Sequence, residues 1–218
     1  MEQVRTEKQN TKEAVQTAAI DLFMTKGFTG TSVRAVADRA NVNVALISYY
    51  FGGKKGLLEY ILNDYLSGYL QAIEEAISSS ESSFDQLLSM VERAMVYQQR
   101  HDRAARLVLR ELTLDSMLVR EVMSSYFMKE KHLFSLVYDQ GRKAGVFTQM
   151  RKEWAILHLR GMITMPFLHA QYIREVFHLE PRDETFIGKY MGHVRQFVER
   201  QLCSTRIADS PPSSLVYV

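Results

Sequence analysis

The chain has 218 residues, 46% hydrophobic and 24% charged, a composition that is typical of a folded globular protein and excludes a wholly disordered one. Its 11 glycines and 4 prolines favour helices over a loop-rich β fold, and its single cysteine, Cys203, excludes an internal disulfide framework and a cysteine-cluster zinc site. The formal net charge of +2 is uneven, because residues 1–57 carry eight Lys or Arg against five Asp or Glu, which fits a small nucleic-acid-binding head on a larger body.

The sequence contains neither a candidate membrane span nor a candidate export signal. No stretch approaches the ~18 consecutive apolar residues that a span needs, and residues 1–12 lack the apolar core of a secretory signal. A lone cysteine is also typical of the reducing cytosol. We therefore expect the protein to act in the cytoplasm.

The first part of the chain predicts three helices separated by short turns. Apolar residues recur at three- and four-residue spacing over 11–26, and Gly27 follows as a helix stop. Two short helices are predicted over 33–40 and 44–50. We expect no strand anywhere in the chain, since the sequence shows no strand signal.

The two short helices have their own start and stop signals. The hydroxyl of Ser32 suits the cap of the first helix, and the amide of Asn43 suits the cap of the second. Asn41 tolerates the left-handed backbone that a tight turn between helices needs. Gly52 and Gly53 then end the second helix.

The rest of the chain predicts longer helices. After a long apolar stripe, a serine-rich segment at 78–83 is the clearest linker. Pro166 should kink the penultimate long helix, or end and restart it. The predicted helices are 54–77, 84–100, 103–114, 117–143, 152–175 and 183–203. The predicted domains are an N-terminal DNA-binding domain over 1–53, a C-terminal helical domain over 54–203 in which helix 54–77 connects the two, and a flexible tail over 204–218.

Two short helices joined by a compact turn, with a third helix before them, form a helix-turn-helix pattern. The first helix of the pair braces against the DNA backbone, and the second is short enough to enter a major groove about 12 Å wide. Ile47 and Phe51 are four residues apart and are predicted to face the core. The residues predicted to face outward are Asn43, Val44, Ala45, Ser48 and Tyr49.

The outward residues predict contacts with the base edges. Val44 and Ala45 are suited to thymine methyl groups, and Ser48 and Asn43 are suited to hydrogen bonds with bases or phosphates. An alternative is a three-helix packing unit with no role in DNA binding, because helix pairs are common.

Contacts with the DNA backbone are predicted beside the same helix. Tyr49 and Tyr50 can place hydroxyl groups on phosphates. Lys54 and Lys55 open the next helix, where ammonium groups lie beside free N–H groups and suit a phosphate. The glycine-rich stretch 52–56 lacks the spacing of a nucleotide-binding loop and follows no strand.

The segments 31–37, 41–51 and 54–58 resemble, in order and spacing, the N-terminal DNA-binding domain of the TetR family of bacterial regulators, over about residues 11–62. The resemblance implies an all-α fold with a three-helix helix-turn-helix head, a C-terminal helical bundle as the body, and an Ω-shaped homodimer on double-stranded DNA, hence association with the nucleoid. The positions that match DNA contacts of the family are Arg34, Val44, Ala45, Ser48, Tyr49, Tyr50 and Lys54. The sequence departs from the family at Asn41, where glycine is usual, and at Ser48, where tyrosine is common.

Within that family, the body resembles a branch from spore-forming Gram-positive bacteria that acts on the division protein FtsZ. The segments that carry this resemblance are 110–116, 120–124, 128–131 and 165–167. It implies binding to palindromic chromosomal sites, a link to septum placement and chromosome capture during sporulation, and FtsZ as a partner.

A charged run on the body has two interpretations. It is a solvated face in most proteins, and it becomes a candidate partner surface if the resemblance to the division-linked branch holds. The residues of this surface are Arg103, Arg106, Arg110, Glu111, Arg120 and Glu121.

An apolar set around Pro166 also leaves two interpretations open. Methionine and aromatic side chains suit a pocket for a small-molecule effector, as in a ligand-released repressor, and they equally suit a core or a dimer interface. The set comprises Met162, Met165, Phe167, Leu168, Tyr172 and Phe177. The last two long helices are predicted to form the dimer, although their apolar residues equally suit burial within one chain.

No pattern of enzyme chemistry is found. The six histidines are scattered without the spacing of metal ligands, and Cys203 has no general base near it in the sequence, which favours a buried thiol. We therefore expect no catalytic residue, no metal and no cofactor.

Overall fold

The computed structural model describes residues 2–78, 82–113, 117–148 and 150–203, and all regular elements within these ranges are helical, as predicted. The helices are α1 (Glu2–Lys26), α2 (Val33–Ala40), α3 (Val44–Phe51), α4 (Lys54–Ile77), α5 (Ser83–Arg100), α6 (Asp102–Thr113), α7 (Met117–Lys143), α8 (Lys152–Leu168), α9 (Ala170–Phe177) and α10 (Phe186–Phe197), which a π-helical turn (Val198–Leu202) continues. None of these helices is long and apolar enough to cross a membrane. The predicted tail, 204–218, lies outside the described residues.

Two differences from the predicted helices have local causes. Helix α1 begins at Glu2 instead of residue 11, because its first residues are good helix formers that carry no apolar periodicity. The predicted helix over 152–175 is two helices, since α8 ends two residues after Pro166 and α9 begins at Ala170. Pro166 therefore ends and restarts the helix, which was one of the two predicted outcomes.

The described chain forms two compact units. The first contains Met1–Gly68 together with His101–Ser125, and the second contains Tyr69–Arg100 together with Tyr126–Val218. Helix α6 belongs to the first unit, where it packs against α1. Each predicted domain is one continuous stretch of the sequence, whereas each unit combines two distant segments. The boundaries of the predicted domains stay a prediction.

The core of the first unit is built from α1, α2, α3 and the start of α4. Ile47 and Phe51 are buried, as predicted. The Phe51 ring meets that of Tyr60 edge-on at a centroid distance of 5.1 Å, and the rings of Phe23 and Phe28 lie 5.4 Å apart. The first contact joins α3 to α4, and the second packs the loop after α1 against that helix.

The second unit holds a buried polar cluster within its apolar core. The carboxylate of Glu130 accepts a hydrogen bond of 2.8 Å from the hydroxyl of Tyr69 and lies 3.3 Å from Nε of Arg160. The Arg160 guanidinium covers the ring of Phe127 at 4.3 Å. A buried carboxylate needs such partners, and here two other helices, α4 and α8, supply them.

The end of the chain packs into the second unit. Phe186, Val194 and Val198 are buried within one chain, which was one of the two outcomes left open for them. Cys203 is buried as predicted, and burial, with a smaller effect of Glu199, raises the pKa of its thiol to about 11. At neutral pH the thiol therefore stays protonated and is a poor nucleophile.

Candidate DNA interface

The turn between α2 and α3 has the geometry that the sequence predicts. The Ser32 hydroxyl accepts a hydrogen bond of 3.1 Å from the N–H of Ala35 and caps α2. Asn41 adopts the left-handed conformation at φ 54°, and its N–H donates to the carbonyls of Ala37 and Asp38. A single residue thus ends one helix and directs the chain into the next.

Helix α3 is bounded by side-chain and backbone caps. The side-chain oxygen of Asn43 accepts a hydrogen bond of 2.8 Å from the N–H of Ala45. Gly52 ends the helix at φ 70°, and its N–H donates to the carbonyl of Ser48 at 2.9 Å. The oxygen of Asn43 therefore caps the helix, and its amide N–H groups take no part in that cap.

The outer face of α3 is exposed and has no acidic residue. Val44 is 45% exposed and Tyr49 is 75% exposed, while Ile47 on the opposite face is fully buried. The other predicted base-reading residues, Asn43, Ala45, Ser48 and Arg34 of α2, are also exposed. The predicted outward face of the helix is confirmed, and the contacts of each residue with DNA stay a prediction.

Tyr50 lies at the edge of this face. Its ring is half-buried and meets the ring of Tyr49 edge-on at a centroid distance of 5.0 Å. The ammonium group of Lys12, on α1, lies 5.5 Å from the centre of the Tyr50 ring. Sequence reasoning missed Lys12, because its position beside α3 follows from the packing of α1 and not from any local motif.

Lys54 is half-buried and already bound within the protein. Its ammonium group donates to the carbonyls of Phe28 at 2.9 Å and Thr31 at 2.8 Å, and it lies 4.6 Å from the centre of the Phe28 ring. Two of its three N–H donors therefore hold the loop between α1 and α2. This role was not predicted, and the predicted contact with a phosphate stays a prediction for the third donor.

Helix α4 begins directly against the end of α3. A Cβ atom on Gly56 would lie 1.8 Å from the carbonyl oxygen of Phe51, so only glycine fits there. This close approach fixes the direction of the first turn of α4, which carries Lys54 and Lys55.

The residues of the predicted partner surface differ in how far they are exposed. Glu111 is the clearest correction, because its side chain is only 6% exposed and accepts a hydrogen bond of 3.2 Å from Arg110. Arg110 also donates to the carbonyls of Phe23 at 2.9 Å and Met24 at 3.3 Å, at the end of α1. These two residues therefore act within the first unit.

The remaining members of that set have different surroundings. Arg103 is exposed but pairs with Asp21 of α1, and Arg106 is half-buried. Arg120 and Glu121 are exposed on α7. The surface as a contact for a partner protein stays a prediction.

The sequence profile of the family described as "Bacterial regulatory proteins, tetR family" matches residues 17–61, which span α1 to α4. A relative from Bacillus subtilis (strain 168), named "Probable HTH-type transcriptional regulator YttP", is 41% identical over 193 residues, covering 88% of this chain and 93% of the relative.

Solved structures share the whole architecture at low identity. A tetR-family regulatory protein from Rhodococcus RHA1 has a TM-score of 0.73 at 20% identity, covering 89% of this chain and 98% of that chain. The transcriptional regulator FadR from Bacillus subtilis, in complex with stearoyl-CoA, has a TM-score of 0.71 at 14% identity, covering 87% of this chain and 98% of that chain. At these identities, the likeness shows a shared fold.

Replacing Lys54 tests its role inside the protein. We expect Lys54→Ala to lower the free energy of unfolding by about 1–2 kcal/mol, because two carbonyls lose a charged donor in a half-buried site. The neighbouring Lys55, whose side chain is 69% exposed, is the matched control. Lys55→Ala should change the free energy by less than about 0.5 kcal/mol. Equal urea midpoints for the two variants would contradict the assignment.

Proposed function

The chain belongs to the TetR family of bacterial regulatory proteins, and on this premise we propose that it binds a near-palindromic site in double-stranded DNA as a homodimer. It is a transcriptional regulator of helix-turn-helix type and not an enzyme, since the family and the curated relative are regulators. The observation that carries the proposal is the exposed outer face of α3, held rigidly by burial of its inner face. We infer that the protein acts in the cytoplasm, on the nucleoid.

The proposed base contacts come from α3 and from the start of α2. Val44 and Ala45 meet thymine methyl groups, and Ser48 hydrogen-bonds a base edge. Asn43 contributes its amide N–H groups, because its oxygen caps the helix. Arg34, exposed on α2, reaches a base or a phosphate beside α3.

The proposed phosphate contacts lie at the end of α3. The hydroxyl groups of Tyr49 and Tyr50 and the third donor of Lys54 bind the DNA backbone. Lys12 adds a positive charge beside Tyr50. These contacts orient the helix in the groove but carry no sequence information by themselves.

The proposed dimer interface is an exposed apolar stripe on α8. Trp154 and Leu157 are 55% and 57% exposed, and Met165 continues the stripe at helical spacing. Gly161 lies between them and has open space around its Cα, which allows a second helix to approach closely. Helix α10, with open space at Gly188 and Gly192, provides the second helix of a four-helix bundle between two copies.

For the biological role, we propose that the protein is similar to RefZ and regulates FtsZ-dependent division and chromosome positioning during sporulation. The support is the resemblance of segments 110–116, 120–124, 128–131 and 165–167 described above. Among the exposed residues of those segments, Arg120 and Glu121 also belong to the charged surface proposed for a partner contact. The printed name of the Bacillus subtilis relative states only a transcriptional regulator.

The alternative role is a repressor that a small molecule releases from DNA. A specific observation favours it, since a solved structure of the same fold contains stearoyl-CoA. In this chain the apolar set around Pro166 divides, because Phe167 is buried while Met165, Tyr172 and Phe177 are exposed. To form a pocket for an acyl chain, the exposed side chains of this set would therefore have to move together with the buried ones.

Removing the Tyr49 side chain tests the DNA interface. We expect duplexes with a shared palindrome to be recovered when the wild-type protein selects from a random-sequence pool. Tyr49→Ala should then raise the Kd for that duplex at fixed salt by about tenfold, because a phosphate contact and an apolar contact are lost. The thermal unfolding midpoint should stay unchanged, since the ring is 75% exposed. An unchanged Kd would remove Tyr49 from the interface.

Placing a charge on α8 tests the dimer. We expect Leu157→Arg to convert the dimer to monomers in analytical ultracentrifugation, because two buried charges would face each other across the symmetry axis. Leu136→Arg is the matched control, since Leu136 is also exposed, at 40%, but lies on α7. A wild-type protein that is monomeric, or a Leu157→Arg variant that remains dimeric, would contradict this interface.

Genome-wide mapping of bound sites separates the two roles. A few palindromic sites placed around the chromosome, with little change in transcription, support the division-linked role. One peak at its own or a neighbouring promoter supports the ligand-released repressor. Both patterns should disappear in the Ser48→Ala, Tyr49→Ala variant, and peaks that persist in that variant would contradict DNA recognition by α3.

A further inference from the structure

A single carboxylate on α1 binds arginines from two other helices. Nη2 of Arg39, on α2, lies 2.7 Å from Oδ2 of Asp21, and Nη1 of Arg103, on α6, pairs with Oδ1 of the same side chain. The Asp21 side chain is only 11% exposed, whereas Arg39 and Arg103 are 52% and 69% exposed. A carboxylate so far removed from water needs counter-charges, and both come from other helices.

Helix α6 has a second attachment to α1. Arg110 lies seven residues after Arg103, on the same face of α6. Its guanidinium donates to the carbonyls of Phe23 and Met24, which belong to the last turn of α1 and have few partners within the helix. Two arginines on one face therefore bind α6 to α1, one to a side chain and one to the helix end.

The position of Arg39 connects this cluster to the helix-turn-helix. Arg39 lies in the last turn of α2, two residues before the left-handed Asn41 that directs the chain into α3. Asp21 therefore holds the end of α2 against α1 at the point where the path of α3 is set. Arg103 binds the other oxygen of Asp21 and keeps the carboxylate turned towards Arg39.

We propose that Asp21 and Arg103 are positioning residues for DNA binding, which hold α2 and, through the turn, α3 in the orientation that fits the groove. The inference rests on the proposed function. It also assigns Arg103, which the sequence placed on a partner surface of the body, to the DNA-binding unit. Neither residue needs to touch DNA, because the effect passes through Arg39.

The direction in which Asp21→Asn changes the Kd for DNA separates this positioning role from long-range electrostatic attraction. Asp21→Asn raises the formal net charge by one from +2, and long-range attraction alone would then strengthen DNA binding. The proposed role requires the opposite, since the amide holds two arginines less well than a carboxylate. Weaker binding by a more positive protein is therefore the expected result.

The experiment measures Kd for the palindromic duplex recovered by selection, at fixed salt and well below the unfolding midpoint of every variant. We expect Asp21→Asn and Arg103→Gln to raise Kd by about fivefold to tenfold, and Arg103→Lys to recover most of the loss. Arg106→Gln is the matched control, because it removes the same charge from α6 at a residue with no ion pair among the described residues. Its Kd should stay within about twofold of wild type.

A second measurement needs no DNA. Amide hydrogen exchange in the last turn of α2 should be faster in Asp21→Asn and Arg103→Gln than in Arg106→Gln, because the end of α2 is then held less firmly. Equal or tighter DNA binding by Asp21→Asn, or equal Kd values for Arg103→Gln and Arg106→Gln, would overturn the proposal. A wild-type protein that retains no duplex would instead overturn the proposed function, and the positioning role with it.

Discussion

An eight-residue helix cannot persist in water on its own, because nucleation costs more than so few backbone hydrogen bonds return. Helix α3 exists because Ile47 and Phe51 are buried and because Asn43 and Gly52 cap its two ends. The same burial leaves the opposite face of the helix exposed. The base contacts proposed for α3 depend on that division of one short helix into two faces.

Three cations of the first unit bind other groups of the protein. Lys54 binds two carbonyls of the loop before α2, Arg110 binds two carbonyls at the end of α1, and Arg103 binds Asp21. These cations stabilise the positions of helices before any DNA is present. The presence of a positive side chain in this unit is therefore a weak guide to whether it touches phosphate, since a cation with partners in the protein has fewer donors left.

The second unit has a different constraint, because it buries a core and, in the proposed dimer, also presents a surface to a second copy. Its buried carboxylate, Glu130, is bound by Tyr69 and Arg160, so the core tolerates a charge without exposing it. The apolar residues of α10 that face inward, such as Val194, contribute to that core. The exposed stripe of Trp154 and Leu157 on α8 is an apolar surface that suits the proposed dimer.

The sequence by itself determined the local elements: the all-α class, the caps Ser32 and Asn43, the left-handed turn at Asn41, and the inward face of α3. Each of these follows from residues within one or two helical turns of each other, so a single sequence carries the full signal. Periodicity missed the polar start of α1, which has no recurring apolar residues, and the start signal at Pro181 placed the last helix three residues before the observed start at Phe186. The partners of Lys54, Arg103 and Arg110, the burial of Glu111 and the grouping of α6 with α1 were decided by tertiary structure alone, because each joins residues that are distant in the chain and whose types would equally suit solvent.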